Sequence, residues 1–273
     1  MPKVSINIIT HNRKQLLKKA IASVFEQTYT DFELIIVDDS SSDGTEEEIS
    51  LLTDPRIKYK KIEKQNNVSA VRNKALSLST GEYIALLDDD DIWIDKDKLR
   101  QQVEFLDKNH GHVLVGTGAI VVDENDKEKY RFLNPQDDKK IKSNMLSRCL
   151  FVNSSTMFKN ETAKKIHGYQ TKPYGQFIED YNFWLDLGKH RKLANLPIFS
   201  IKYKEHNNQQ SSKYRKNQTT ESVKLIKDYK HDYPNYIKAK IRTNLRAAIY
   251  GYLNMTWLYS ITAFIKEIRN KKK

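Results

Sequence analysis

Along residues 4–10 apolar and polar side chains alternate with the two-residue period of a strand. Over residues 13–27 Leu16, Leu17, Ala20, Ile21, Val24 and Phe25 recur at helical spacing. The same pair of patterns then returns. Residues 32–37 (FELIIV) form a nearly continuous apolar run, as a strand buried on both faces requires, and Asp43 with Glu46 resembles a capping box opening the next helix. A third strand is predicted over 57–62 and a third helix over 68–79, ended by Gly81. Residues 83–87 (YIALL) predict a fourth strand, and helical spacing resumes over 95–109 through Leu99, Val103 and Leu106. Strands alternating with helices in this way predict an α/β fold whose parallel sheet carries helices on both faces.

Beyond His112 the pattern loosens. It predicts a strand over 113–122, a polar loop rich in Asp, Glu and Lys, a helix near 137–149, a short strand over 154–158, a helix over 178–190 and a strand over 198–203. The polar stretch 206–218 is the best boundary in the chain, and there is neither an internal repeat nor a low-complexity linker. At 273 residues the chain is long enough for one large core, or a core with an appendage. Its single cysteine, Cys149, excludes an internal disulfide framework. The first residues read as a strand, with no apolar leader and cleavage site.

Charge refines this picture. The net charge of +12 would suggest a polyanion partner if it were spread over the chain, but residues 201–273 hold 17 Lys and Arg against 5 acids, and the remaining 200 residues are balanced. A neutral body with a basic tail is expected of a catalytic or binding domain that carries a docking segment.

In an open parallel sheet, functional residues gather beyond the carboxyl ends of the strands. Two such places are acidic: Val37 leads into Asp38-Asp39, and Leu87 leads into Asp88-Asp89-Asp90-Asp91, with Trp93 close behind. Adjacent carboxylates repel unless a cation or solvent relieves them, and Mg²⁺ or Mn²⁺ bound by carboxylate oxygens can share its shell with substrate phosphates. A solvated acidic turn before the next helix explains the same run equally well. GxGxxG is missing after the first strand and GxxxxGK[ST] is missing throughout, so dinucleotide and P-loop folds are poor fits.

Four segments carry a family resemblance: VSINIITHNR, SVFEQTYTDFELIIVDDSSSDGT, VSAVRNKALSLSTGEYIALLDDDDIW and FIEDYNFW. Over residues 3–210 the chain resembles an inverting, non-processive family 2 glycosyltransferase of the GT-A fold. The resemblance implies a catalytic domain over 1–210, with a nucleotide-sugar half (1–110) and an acceptor half (111–210), followed by a basic helical extension (211–273). It implies that Thr10, Asn12 and Arg13 lie against the nucleotide, that Asp39 accepts a hydrogen bond from uracil while Asp38 is structural, and that Arg72 sits near the base or diphosphate. Asp88 and Asp89 are expected at the donor, Asp90 at Mn²⁺ or Mg²⁺, Asp180 as the general base, and Glu179 and Trp93 at the acceptor. His206 is expected near the metal or diphosphate, although the family's Tyr-Arg-x-His pattern is here Tyr203-Lys204-Glu205-His206, which leaves the positive residue beside the histidine in doubt. No QxxRW segment occurs, which argues against a processive synthase.

The implied partners are a nucleotide-sugar donor, UDP-hexose above all, and a saccharide or lipid-linked acceptor of surface-polysaccharide assembly. Residues 247–265 are uncharged for 19 positions between basic flanks, too polar for a span, and predict an interfacial helix that holds the enzyme on the cytoplasmic face of an anionic membrane. Packing of this stretch on the body or across a homodimer contact is the alternative. Nucleic-acid binding through tail tyrosines (Tyr203, Tyr214, Tyr229, Tyr233 and Tyr236) would leave the acid-lined body unexplained. An inactive scaffold would not need Asp90 and Asp180.

Overall fold

A computed structural model describes residues 1–123, 125–173, 177–204 and 214–252. The strands are β1 (Val4–Thr10), β2 (Phe32–Asp39), β3 (Ile57–Ile62), β4 (Tyr83–Leu86), β5 (Ile92–Trp93), β6 (His112–Val122), β7 (Glu128–Phe132), β8 (Met157–Lys159) and β9 (Lys192–Lys204). They form one sheet in the order β3-β2-β1-β4-β8-β6-β9-β5, with β7 paired to β6. The first four strands are parallel, as the alternating pattern predicts. Past β4 the sheet is mixed: β8 runs antiparallel to both β4 and β6, whereas β6 and β9 pair in parallel.

The helices are α1 (Lys14–Phe25), α2 (Thr45–Ser50), α3 (Val68–Leu78), α4 (Lys98–Lys108), α5 (Asp138–Met145), α6 (Asn160–Lys165), α7 (Glu179–His190), α8 (Arg215–Asp228) and α9 (Tyr236–Tyr252). One face of the sheet packs on α1 and α4 through Leu17, Ile21, Val24, Leu99, Val103 and Leu106. The other face packs on α5, α7 and α8 around Trp184, Phe158 and Phe183. Both faces being covered explains why β2 is apolar over most of its length.

Local chemistry sets several boundaries. Asn67 caps α3 by accepting from the Ala70 N–H, and Asp137 caps α5 by accepting from the Lys140 N–H. The expected capping box at α2 does not form. Asp43 instead accepts from the Thr45 N–H and hydroxyl and from the Lys14 N–H, tying the starts of α1 and α2 together. Helix α4 begins at Lys98, not 95, after β5 and a turn in which the Lys98 N–H donates to the Asp95 carbonyl at 3.2 Å. Gly81 lies so close to β1 that a Cβ there would meet the Ser5 nitrogen at 2.6 Å.

The C-terminal helices belong to the body as far as the described residues run. Leu225, Ile226, Tyr229 and Tyr233 are buried in the same core as Trp184. The Tyr229 hydroxyl donates to Asn182 Oδ1 at 2.7 Å, and the Tyr233 hydroxyl to the Leu185 carbonyl at 2.6 Å. Most of the uncharged stretch 247–265 lies outside the described residues.

Candidate active site

Strand order and chain order together place the site. From β1 the chain crosses to β2 on one side, and β4 pairs on the other, so the loops after β1 and β4 open onto the topological switch point of the parallel half. The register Thr10↔Asp38 brings the ends of β1 and β2 level.

The four acids after β4 have different surroundings. Asp88 accepts from Asn153 Nδ2 at 2.7 Å and from Arg72 Nη2 at 3.3 Å. Asp89 is buried; it accepts from the Thr10 hydroxyl and from Arg13 Nη1, both at 2.8 Å, and burial pushes its carboxyl up to about 6 against the pull of Arg13. Asp90 accepts from the same Arg13 Nη1 at 2.8 Å. Asp91 is buried and accepts from the Ser154 hydroxyl at 2.5 Å, while its Oδ1 has no hydrogen-bond partner among the described residues. Burial, and then the neighbouring Asp90 and Asp88, hold the Asp91 carboxyl well above the usual carboxylate range.

The turn after β1 is shaped by Asn12, whose φ is 52° and whose Oδ1 accepts from the Ser42 N–H at 2.8 Å. That contact fixes the turn to the loop after β2 and aims Arg13 at the acidic loop. Asp39 faces the cleft, accepting from the Gln65 N–H at 2.6 Å and pairing with Lys64 at 2.7 Å. Asp38 is fully buried, accepting from the Ser41 N–H and the Tyr59 hydroxyl, the structural role expected of it.

Across the cleft, α7 opens with Glu179 and Asp180. Arg72 of α3 reaches Glu179 through Nε at 3.2 Å and Asp88 through Nη2 at 3.3 Å, so one guanidinium joins the acidic loop to the start of α7. Burial would lower its affinity for a proton, but Asp88 and Glu179 outweigh burial and raise it. For Asp180, burial and then the adjacent Glu179 push the carboxyl up to about 7, while Arg72 opposes them.

These residues share one cleft of about 840 Å³, lined among others by Thr10, Arg13, Asp39, Arg72, the Asp88–Asp91 run, Glu179 and Asp180. Asp90 and Asp180 line the same cleft. Asn12 stands beside the cleft as a builder of the turn, not in its lining. Trp93 corrects an expectation: it is 3% exposed, sits in the core under the acidic loop, and spends its indole N–H on the Ser154 carbonyl, so it is not available to an acceptor. His206 lies outside the described residues. Sequence reasoning missed Asn153 and Ser154, which hold Asp88 and Asp91 from a 3-10 turn, and the aromatic lining Tyr130, Phe132, Phe151, Phe177, Tyr203 and Tyr214. Only the fold brings these distant segments together; no local motif marks them.

The donor set can be tested against a hard divalent cation. Among the described residues no three His, Cys, Asp or Glu side chains converge on a cage. Mg²⁺ and Mn²⁺ that share their shell with waters and substrate phosphates need only one or two carboxylates. Asp88 and Asp90, which line the cleft and carry oxygen donors only, fit that description.

Comparison with known proteins identifies the family and the fold. A family model described as Glycosyl transferase family 2 matches residues 5–166. The chain is 30% identical over 253 residues to WfgD of Escherichia coli, a UDP-Glc:alpha-D-GlcNAc-diphosphoundecaprenol beta-1,3-glucosyltransferase, covering 92% of this chain and 91% of that protein. Among solved structures, the mannosyltransferase PcManGT from Pyrobaculum calidifontis in complex with GDP-Man and Mn²⁺ matches with a TM-score of 0.66 at 18% identity, over 97% of this chain and 80% of the other. S. aureus TarS 1-349 in complex with UDP-GlcNAc matches with a TM-score of 0.65 at 16% identity, over 94% and 73%.

Proposed function

We propose, from the premise that this chain belongs to glycosyl transferase family 2, that it moves a hexosyl group from a UDP-hexose to a hydroxyl of a lipid-linked saccharide with inversion at the anomeric carbon. The observation that carries the reading is the shared cleft: the acidic loop after β4 and Asp180 face one space, and Arg72 joins that loop to Glu179 beside Asp180. The relationship to WfgD supports the donor and acceptor classes.

Inverting transfer needs a leaving group whose charge is stabilised and an acceptor oxygen that loses its proton on the opposite face of the sugar. Asp180 suits the second task, because a carboxylate whose proton affinity lies near neutrality can take a proton from an alcohol and pass it to solvent. Arg72 holds Glu179 and Asp88 in register and offers a guanidinium to phosphate. Asp39, already accepting from a backbone N–H, suits the uracil edge. Asp90 and Asp88 would hold Mn²⁺ or Mg²⁺, with His206 as a further candidate; the cation, when bound, offsets the charge that grows on the departing diphosphate.

A membrane-borne acceptor calls for a docking face. In α9, Ile237, Ile241 and Leu245 are 75%, 64% and 60% exposed at four-residue spacing, beside Lys238, Lys240, Arg242 and Arg246 and no acid. This stripe suits an anionic leaflet and a peripheral position on the cytoplasmic face. No helix among the described residues is long and apolar enough to cross a membrane. The nucleic-acid alternative loses support, since Tyr229 and Tyr233 are core residues.

The test is direct: incubation with UDP-glucose and other nucleotide sugars, Mn²⁺ or Mg²⁺, and GlcNAc-diphosphoundecaprenol. A β-linked product is expected, and an α-linked product or no transfer from any nucleotide sugar defeats the proposal.

A further inference from the structure

We infer that the part of the cleft built by the second half of the chain is a subsite for an uncharged pyranose, whose C–H face lies on the ring pair Phe177–Tyr214. The inference rests on the reading of Asp180 as the base and names what that base acts on.

The cleft is chemically divided. Every Lys and Arg among its described lining residues comes from the first half of the chain: Arg13, Lys64 and Arg72. The second half contributes aromatic rings, two valines, the neutral amides Asn153 and Gln218, and the acids Glu179 and Asp180. A nucleoside diphosphate finds its cations and amides on the first side, and no cation for a phosphate or carboxylate stands among the described lining residues of the second.

Phe177 and Tyr214 stand with ring centroids 5.0 Å apart and planes tilted by 43°, both partly exposed at the cleft. Phe177 lies three residues before Asp180, so the flat surface and the base are held by one short stretch of chain. Tyr214 arrives at the start of α8, and the residues just after α8 are fastened to α7 by the Tyr229 and Tyr233 hydroxyls. Phe177 and α8 both pack on the core around α7, the helix that carries the base. A pyranose has one less polar face of C–H bonds, which carry partial positive charge and suit the negative face of an aromatic ring. Its hydroxyls, around the rim, then meet neutral amides and Asp180. What rests on these rings beside the base is the ring that carries the attacking hydroxyl. Glu179 and Asp180, charged groups among the described lining of this side, repel a carboxylate, which selects a neutral sugar over a uronate.

The experiment uses the full chain with UDP and Mn²⁺ and follows saturation-transfer NMR of methyl α-N-acetylglucosaminide and methyl α-glucuronide. Saturation of the ring C–H protons is expected for the first glycoside and not the second. It should persist in Asp180→Asn, disappear in Phe177→Ala and Tyr214→Ala, and return in Phe177→Tyr and Tyr214→Phe. With GlcNAc-diphosphoundecaprenol as acceptor, each alanine variant should raise the acceptor KM at least tenfold while the KM for UDP-glucose stays unchanged. Unchanged UDP affinity and thermal melting serve as the check on folding. An NMR signal insensitive to both alanine variants, an equal signal from the glucuronide, no signal in the wild type, or a parallel loss of UDP affinity in correctly melting variants overturns the subsite. Failure of the wild type to bind UDP-glucose defeats the proposed function instead, and leaves the glycoside spectra readable.

Discussion

Arg72 Nε lies 3.2 Å from a carboxylate oxygen of Glu179, the residue immediately before Asp180, and this contact spans 107 positions of the chain. Because the same guanidinium also reaches Asp88, any change at Arg72 is felt at both walls of the cleft. A lysine carries the charge but cannot hold two carboxylates in fixed directions. Arg72→Lys should therefore lower kcat/KM for the donor by roughly ten- to a hundredfold, the equivalent of about 1.5–3 kcal/mol for one hydrogen bond to a charged group. Steady-state kinetics with varied UDP-glucose checks this, and an unaltered kcat/KM sinks the coupling.

Asp180→Asn keeps the shape of the residue and removes its basicity. Turnover should fall by roughly 10² to 10⁴, the usual worth of a positioned base, while UDP binding by calorimetry is unaffected. Normal turnover would remove Asp180 from its proposed role.

The environment of Asp180 also sets a pH dependence. A base must be deprotonated to act, so kcat/KM should rise with pH and level off above about 7. Burial and Glu179 are the causes that raise it, so Glu179→Gln should move the rising limb to lower pH. Stability follows the opposite course. With the folded value raised above the ordinary 3.8, the folded state holds the proton longer than the unfolded chain, and stability declines as pH climbs from about 4 to about 7. Asp180→Asn should accordingly melt higher than the wild type at pH 8 and gain little at pH 4; thermal melts at the two pH values decide it.

What the sequence made legible follows from where each signal is local. Strands β2 and β4 and the acids that follow them could be read because a doubly covered parallel strand is apolar almost throughout and its functional loop follows at once, whereas β1 and β3 mix apolar with polar residues. Strand β7 (EKYRF) hid in a polar loop because it lies at the margin, paired among the described residues with β6 alone, and alternates exposed with half-buried positions. Trp93 misled because an aromatic next to an acidic run looks like a ligand contact; the pairing of Ile92–Trp93 with β9 turns that ring into the core. The aromatic lining was illegible since its members come from β7, the segment before the 3-10 turn at Asn153–Ser155, β9, the segment before α7 and the start of α8, which converge only after folding.

Asp90 and Asp89 share Arg13 Nη1 at 2.8 Å, so the loop already has a cation beside it. Asp90→Ala should abolish the part of UDP affinity that depends on Mn²⁺ or Mg²⁺ and leave the metal-independent part, which Arg13 and Asp39 support. Titration of UDP with Mn²⁺ and again with EDTA should show a large difference in the wild type and almost none in the variant. A variant that retains the full metal response transfers the ligand role to another acid.

The exposed stripe of α9 leads to a prediction about location. A leaflet that accepts Ile237, Ile241 and Leu245 gains by removing them from water, at about 25 cal/mol for each Å² of apolar surface buried. The neighbouring Lys238, Lys240, Arg242 and Arg246 add roughly 1 kcal/mol each against anionic lipid, an increment that salt weakens. The two contributions separate experimentally. Sedimentation with phosphatidylglycerol-rich vesicles should carry down the wild type far more than with phosphatidylcholine vesicles, and high salt should reduce the bound fraction without removing it. Ile237→Asp with Ile241→Asp places charge in the apolar stripe and should reduce binding at any salt concentration, while turnover of a water-soluble acceptor analogue stays as in the wild type, because neither residue lines the catalytic cleft. If the stripe instead pairs two copies of the chain, the double variant will alter the oligomeric state by analytical ultracentrifugation and leave vesicle binding untouched, an outcome that rules out membrane docking by this face.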